Sequence, residues 1–146
     1  MVLIQKAALC HGKVIADLAL QLWPHHGKEE LREEFEALLT CEDAAVFLAI
    51  SDGCPIGFSQ CQLRRDYVEG TDTSPVGYLE GIYVAPEYRK SGTARRLLDA
   101  CESWAKSAGC KEFASDCELG NAESLSFHLS MGFEEANRII CFAKKL

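Results

Sequence analysis

The stretch Leu79-Glu80-Gly81-Ile82-Tyr83-Val84-Ala85-Pro86-Glu87-Tyr88-Arg89-Lys90-Ser91-Gly92-Thr93-Ala94-Arg95-Arg96-Leu97-Leu98 decides the fold. Its first part completes a strand that begins at Val76 and runs to Val84, rich in apolar and aromatic residues. Ala85-Pro86-Glu87-Tyr88 breaks that strand, since proline brings no ladder N–H. A helix is expected from about Gly92 to Ala108, with Leu97, Cys101, Trp104, Ala105 and Ala108 as an apolar stripe facing the sheet and Gly109 as its stop. Between strand and helix lies the basic loop Arg89-Lys90-Ser91-Gly92-Thr93-Ala94. Amides at a helix N-terminus have no intrahelical partner, and with the macrodipole they attract an anion. Gly92 lets the backbone come close to a phosphate, and Arg89 and Lys90 add charge, so the loop suits a pyrophosphate. It is not a Walker A loop, whose glycine–lysine–serine/threonine ending is absent. A basic helix start also serves as a plain surface turn in many proteins.

Working outward, a strand is expected at Val2 to Lys6, a helix near His11 to Leu22 that stops before Pro24, and a second helix at Lys28 to Leu39. Ala45 to Ile50 and Ile56 to Leu63 read as an antiparallel hairpin turned by Ser51-Asp52-Gly53-Cys54-Pro55. After the long helix come a strand at Glu112 to Asp116, a helix at Ala122 to Met131, and a final strand pair running from Gly132-Phe133 to about Ala143. The order predicts a single α/β (α+β mixed) domain over residues 1–146, with a mostly antiparallel sheet of six to seven strands and helices on both faces.

Composition narrows the function classes. The 146 residues are 48% hydrophobic and 25% charged, as expected of a globular domain. A net charge of −7 argues against a nucleic-acid partner and suits a cationic ligand, although acidity also serves solubility. No apolar stretch approaches the roughly 20 residues that span a bilayer, and Met1 to Cys10 shows no secretory signal pattern. None of the eight cysteines has C-x-x-C spacing, so they are expected as reduced thiols in the cytoplasm. His25 and His26 are read as having no partner at helical spacing, and no metal site is expected.

The loop and its flanking strand and helix resemble the signature of the GCN5-related N-acetyltransferase (GNAT) superfamily, Arg/Gln-x-x-Gly-x-Gly/Ala, in which Arg89, Gly92 and Ala94 fill the three fixed places. The match continues to Asn121 and the Met131-Gly132-Phe133 turn. The resemblance implies that the amides and side chains of Arg89, Lys90, Ser91, Gly92, Thr93 and Ala94, with Asn121, hold coenzyme A. It also implies that Ile82, Tyr83 and Val84 pair with the pantetheine arm of acetyl-CoA. Leu22-Trp23-Pro24-His25, Asp66 to Val76, Leu79-Glu80-Gly81-Ile82 and Ala114-Ser115-Asp116 carry a closer likeness, to the compact chromosomal-type aminoglycoside 6′-N-acetyltransferases. That branch is typically dimeric, and the apolar Ile139-Ile140-Cys141-Phe142 run suits either an interface of a homodimer or an internal strand.

The chemistry agrees with the likeness. An alkylamine is almost wholly protonated at neutral pH, so acetylation needs groups that bind the ammonium and take its proton. Glu80 is the first choice for base, with Asp116 orienting the amine or sharing the role. The likeness implies that Trp23, His25 and Tyr67 border the acceptor, with Glu69 and Asp72 adding negative potential. His128 stands four residues before Gly132, where many relatives carry a tyrosine that protonates the leaving thiolate. It is read either as that acid or as a packing or coenzyme-contact residue. Cys117 is read as structural. Acetylation of another amine (a polyamine, a small metabolite or a protein N-terminus) and non-catalytic acetyl-CoA binding are the competing readings.

Overall fold

A computed structural model describes residues 1–146. The chain order is β1 (Val2–Lys6), α1 (Gly12–Leu22), α2 (Lys28–Leu39), β2 (Ala44–Ser51), β3 (Cys54–Arg64), β4 (Val76–Val84), α3 (Thr93–Ser107), β5 (Phe113–Ser115) and α4 (Ala122–Ser130). These elements build one five-stranded sheet in the order β1-β2-β3-β4-β5. The first three pairings are antiparallel and β4–β5 is parallel, which is why a helical crossover, α3, separates those two strands. No helix is long and apolar enough to cross a membrane.

The sheet is buried on both faces, and strict alternation along β2 feeds two cores. Ala45, Phe47 and Ala49 meet Leu97, Leu98 and Cys101 of α3 on one side. Val46 and Leu48 meet Ile15, Ala16 and Ala19 of α1 and Leu31 and Phe35 of α2 on the other. Each fully buried leucine, isoleucine or phenylalanine of this kind contributes about 1.5–3 kcal/mol of transfer free energy. One polar tie fastens α3 to the sheet: the Cys101 thiol donates to Ser59 Oγ at 3.2 Å, and that hydroxyl donates to the Leu97 carbonyl at 3.2 Å. All eight cysteines are free.

The expected elements through α4 are present, with β4 and α2 at the expected bounds. The sheet has five strands and not six to seven, because the final strand pair does not form. Ile139, Ile140 and Phe142 are 66%, 81% and 91% exposed. Their apolar pattern suits a strand, but a strand needs a paired edge, and this segment finds none within its own chain. Residues of this tail instead lean on the loop before β4, where Asn137 Nδ2 donates to Glu69 Oε1 at 2.9 Å.

Candidate active site

The site is set by an irregularity in β4. Gln60 faces Gly81 while Cys61 faces Leu79, so Glu80 is an extra residue against β3. This bulge changes the parity of the strand: Leu79 and Ile82, three residues apart, both pack in the α3 core, whereas Gly81 turns toward α1. A bulge bends its strand and re-aims a side chain. Here pairing with β5 ends at Leu79–Ser115, and the edge of β4 from Glu80 to Val84 has no strand beside it. The two parallel strands therefore part as a fork.

The space at the fork is a cleft of about 140 Å³. Leu22 and Trp23 wall one side, Glu80, Gly81 and Ile82 form the floor, and Ser115, Ser124 and His128 close the other side. Trp23 is both core and wall. Its ring lies 6.5 Å from that of Phe35 and 6.2 Å from that of Phe58, and its far edge lies over Gly81. A larger groove of about 410 Å³ between β1 and α3 is lined by none of these residues.

Beside the fork, the Arg89–Ala94 loop supplies a row of backbone donors. Gly92 caps α3 at φ +84° with no side chain satisfying the helix start. The N–H groups from Lys90 to Arg95 donate to no protein acceptor. Arg89 is partly committed elsewhere, donating through Nε to the Val84 carbonyl at 2.7 Å and so pinning the loop to the end of β4. Asn121 caps α4, its Oδ1 accepting from Ser124 N at 3.0 Å.

Glu80 and Asp116 join one network. Arg64, at the end of β3, grips Glu80 with both carboxylate oxygens engaged: Nη2 donates to Oε1 at 2.7 Å and to Oε2 at 2.9 Å. The same guanidinium lies 3.4 Å above the Tyr78 ring centroid, and the Tyr78 hydroxyl donates to Asp116 Oδ2. Burial, and then that hydrogen bond, push the Tyr78 phenol well above its ordinary value, so it remains a donor. Arg64 and Tyr78 were not singled out from sequence. Tyr78 shares a face with Glu80 by strand alternation, but Arg64 joins them only through the register Arg64–Val76 and Gln62–Tyr78.

His128 has a defined orientation. Its Nδ1 lies 2.7 Å from the Ser124 carbonyl, which can only accept, so Nδ1 carries the proton. Its Nε2 lies 2.8 Å from Ser115 Oγ, and that hydroxyl also donates to the Leu79 carbonyl at 3.2 Å. Ser115, quoted from the sequence within Ala114-Ser115-Asp116, was assigned no role there. Tyr67 and His25 stand outside the cleft lining: Tyr67 is 77% exposed, with its hydroxyl 3.4 Å from Glu69, and His25 is exposed in the turn after α1. His26 does have a partner at helical spacing, Glu30 at 3.8 Å, and with Glu34 these form a solvent-exposed group of metal-capable side chains on α2. Cys117 is exposed and makes no hydrogen bond.

The sequence model of the acetyltransferase (GNAT) family matches residues 13–133. The aminoglycoside N(6′)-acetyltransferase type 1 of Salmonella typhimurium is 41% identical over 128 residues, 88% of each chain. The protein of the same name from Stenotrophomonas maltophilia is 41% identical over 98% of this chain and 93% of its own. Among solved structures, AAC(6′)-Iy in complex with the bisubstrate analogue CoA-S-monomethyl-acetylneamine superposes with a TM-score of 0.95 at 38% identity, covering 100% of this chain and 99% of that one. AAC(6′)-Ih from Acinetobacter baumannii gives 0.94 at 38% identity, with the same coverage.

Proposed function

The chain belongs to the acetyltransferase (GNAT) family, and from that premise we propose that residues 1–146 form a single acetyltransferase domain that moves the acetyl group of acetyl-CoA to the 6′-amine of an aminoglycoside. The observation that carries this reading is the fork between β4 and β5, where an unpaired strand edge, a row of free amides and an acidic cluster converge. The amides of Lys90 to Arg95 receive the pyrophosphate, as helix N-termini do. The stretch from Ile82 to Val84 lies past the last β5 pair, and the pantetheine arm extends the sheet along that open side, with the Val84 carbonyl already taken by Arg89 Nε. An N–H at this edge polarises the thioester carbonyl and stabilises the oxyanion that forms.

The acceptor enters past Trp23 and Tyr67, drawn by Glu69, Asp72 and the other acids of a chain with net charge −7. Glu80 and Asp116 hold the reacting amine, and one of them takes its proton, directly or through water. The amine nitrogen bonds to the acetyl carbon, and the bond from that carbon to sulfur breaks. His128 and Ser115 serve the departing sulfur: with His128 as imidazolium, the Ser115 hydroxyl passes its proton to the thiolate and takes one from Nε2. No acyl-enzyme is required, which leaves Cys117 without a chemical task.

The decisive experiment follows coenzyme A release with kanamycin, tobramycin, spermidine and peptides, with mass analysis of the acetylated amine. Turnover of kanamycin and tobramycin at the 6′ position is expected. Turnover confined to spermidine or peptides would sink the aminoglycoside reading. We further read the enzyme as a cytoplasmic homodimer, supported by the eight free thiols, by the exposed Ile139, Ile140 and Phe142, and by the unpaired outer edge of β5. Sedimentation should give a dimer for the wild type and a monomer for I140D/F142D; a wild-type monomer would end that part of the proposal.

A further inference from the structure

The unexpected partner in the site is Arg64. A cleft meant to bind an ammonium holds a built-in cation on its principal carboxylate, and the pair is well made: both oxygens of Glu80 accept, and the guanidinium is seated on the Tyr78 ring at 3.4 Å. Glu80 is the more enclosed of the two, its side chain 19% exposed against 41% for Arg64. The fork-like fit to a carboxylate together with the flat stack is a geometry that lysine cannot reproduce. Tyr78 couples this pair to the second acid, since the ring under Arg64 carries the hydroxyl that donates to Asp116.

Two consequences of the charges follow. A carboxylate alone raises the pKa of an amine beside it and so holds the amine in its protonated, non-nucleophilic form. A carboxylate shared with a guanidinium still accepts a hydrogen bond but contributes little net charge, and the amine beside it keeps more of its free-base form. The acids that attract the polycation, Glu69 and Asp72, lie in the loop before β4, so attraction and activation are assigned to different carboxylates.

We propose that Arg64 is a positioning residue that neutralises Glu80 and thereby lets the acceptor's reacting amine bind in its uncharged, nucleophilic form. This rests on the acceptor reading given above. Removing the guanidinium leaves Glu80 an unshielded anion that fixes the amine as ammonium. This change pushes the acid limb of the rate profile to higher pH, by about one to two units given the usual effect of a neighbouring charge.

The test compares the wild type with R64M, R64Q and R64K, using kcat and kcat/KM for tobramycin across about pH 6 to 9. R64M retains an apolar stem to lie on Tyr78, and R64Q retains a polar one, so either suffices if the other does not fold. Both are expected to lose about tenfold in kcat at neutral pH, to recover toward the wild-type rate at the alkaline end, and to show no increase in KM. R64K, which keeps the charge, is expected to hold its acid limb within about half a unit of the wild type even if its kcat drops through loss of the fork. A pH-independent loss in R64M and R64Q, or an equal shift in R64K, would overturn the proposal by reducing Arg64 to a strand-pairing contact. Calorimetry in buffers of different ionisation enthalpy supplies a second readout. Neomycin should release more protons on binding the wild type than its 6′-hydroxyl counterpart paromomycin does, and that difference should shrink in R64M; an unchanged difference would also overturn the proposal. A wild type that turns over no aminoglycoside would instead defeat the acceptor reading beneath it.

Discussion

Gly81→Ala tests how the fork is held open. A Cβ at position 81 would lie 2.6 Å from Trp23 Cη2 and 2.9 Å from Cζ2, with Leu22 Cδ2 at 3.4 Å. Ordinary carbon contacts are about 3.5–4.0 Å, so the indole must move by roughly 1 Å. It has little room, because its other side rests on Phe35 and Phe58, which are themselves fully buried. Overpacking of this sort costs about 1–3 kcal/mol. For a domain of this length that corresponds to a fall in Tm of roughly 3–12 °C, readable by circular dichroism or scanning fluorimetry. The displaced wall should also raise the acceptor KM while leaving the acetyl-CoA KM close to the wild-type value.

Trp23→Phe serves as an internal control. Cη2 and Cζ2 belong to the half of the indole that phenylalanine lacks, so the smaller ring removes the clash and leaves space for the new methyl. W23F alone destabilises through the cavity it creates. In the double variant the two losses should be less than additive by about 1 kcal/mol, since contacting residues couple. A wild-type Tm for G81A, or losses that add within about 0.3–0.5 kcal/mol, would refute the close approach of Trp23 to the β4 backbone.

Two further predictions concern the ends of the site. At Gly92, φ +84° is a left-handed conformation, and no atom lies within 4 Å of where an added methyl would stand, so G92A acts on the backbone alone. A strain of about 1–2 kcal/mol should raise the acetyl-CoA KM on the order of tenfold with little change for the acceptor, and unchanged initial-rate kinetics would refute the loop's role. At Tyr78, folding favours the neutral phenol, first through burial and then through Asp116. Its contribution to stability is therefore complete below about pH 10, the unfolded value, and is lost as pH rises toward the higher folded value. Urea titrations from about pH 8 to 11 should show Y78F with a flatter alkaline decline than the wild type, and parallel declines would contradict the assignment.

What was legible in the sequence had local causes. Pro24, Pro86 and Gly109 mark where backbones must stop, and α2 shows its buried Leu31 and Phe35 by spacing alone. The turn from Arg89 to Ala94 was legible for the same reason, as its free amides and the left-handed Gly92 arise without help from distant residues. The acids Glu80 and Asp116 were found through resemblance, but what holds them was not. Arg64 and Tyr78 reach them across strand pairing, and Ser115 reaches His128 only once β5 and α4 are packed together. The Ile139–Phe142 run failed in the opposite sense. Its strand-like pattern is real, but pairing depends on an edge, and residues 134–146 join no strand of this chain's sheet.

The bulge at Glu80 ties fold to chemistry more closely than any side chain in the cleft. A single extra residue against β3 bends β4, and β5, still paired at Leu79, is left behind. The same insertion reverses the parity downstream, so Ile82 and Val84 stay with the α3 core while Gly81 turns toward Trp23. It also places Glu80 where Arg64 can lie along the strand, over Tyr78, and reach both of its oxygens. A regular strand would pair farther along β5, close the fork, and send either Glu80 or Ile82 to the wrong face. The cleft, the placement of Glu80 and the unpaired edge of β4 thus share one backbone cause, and no substitution of Glu80 alone removes the other two.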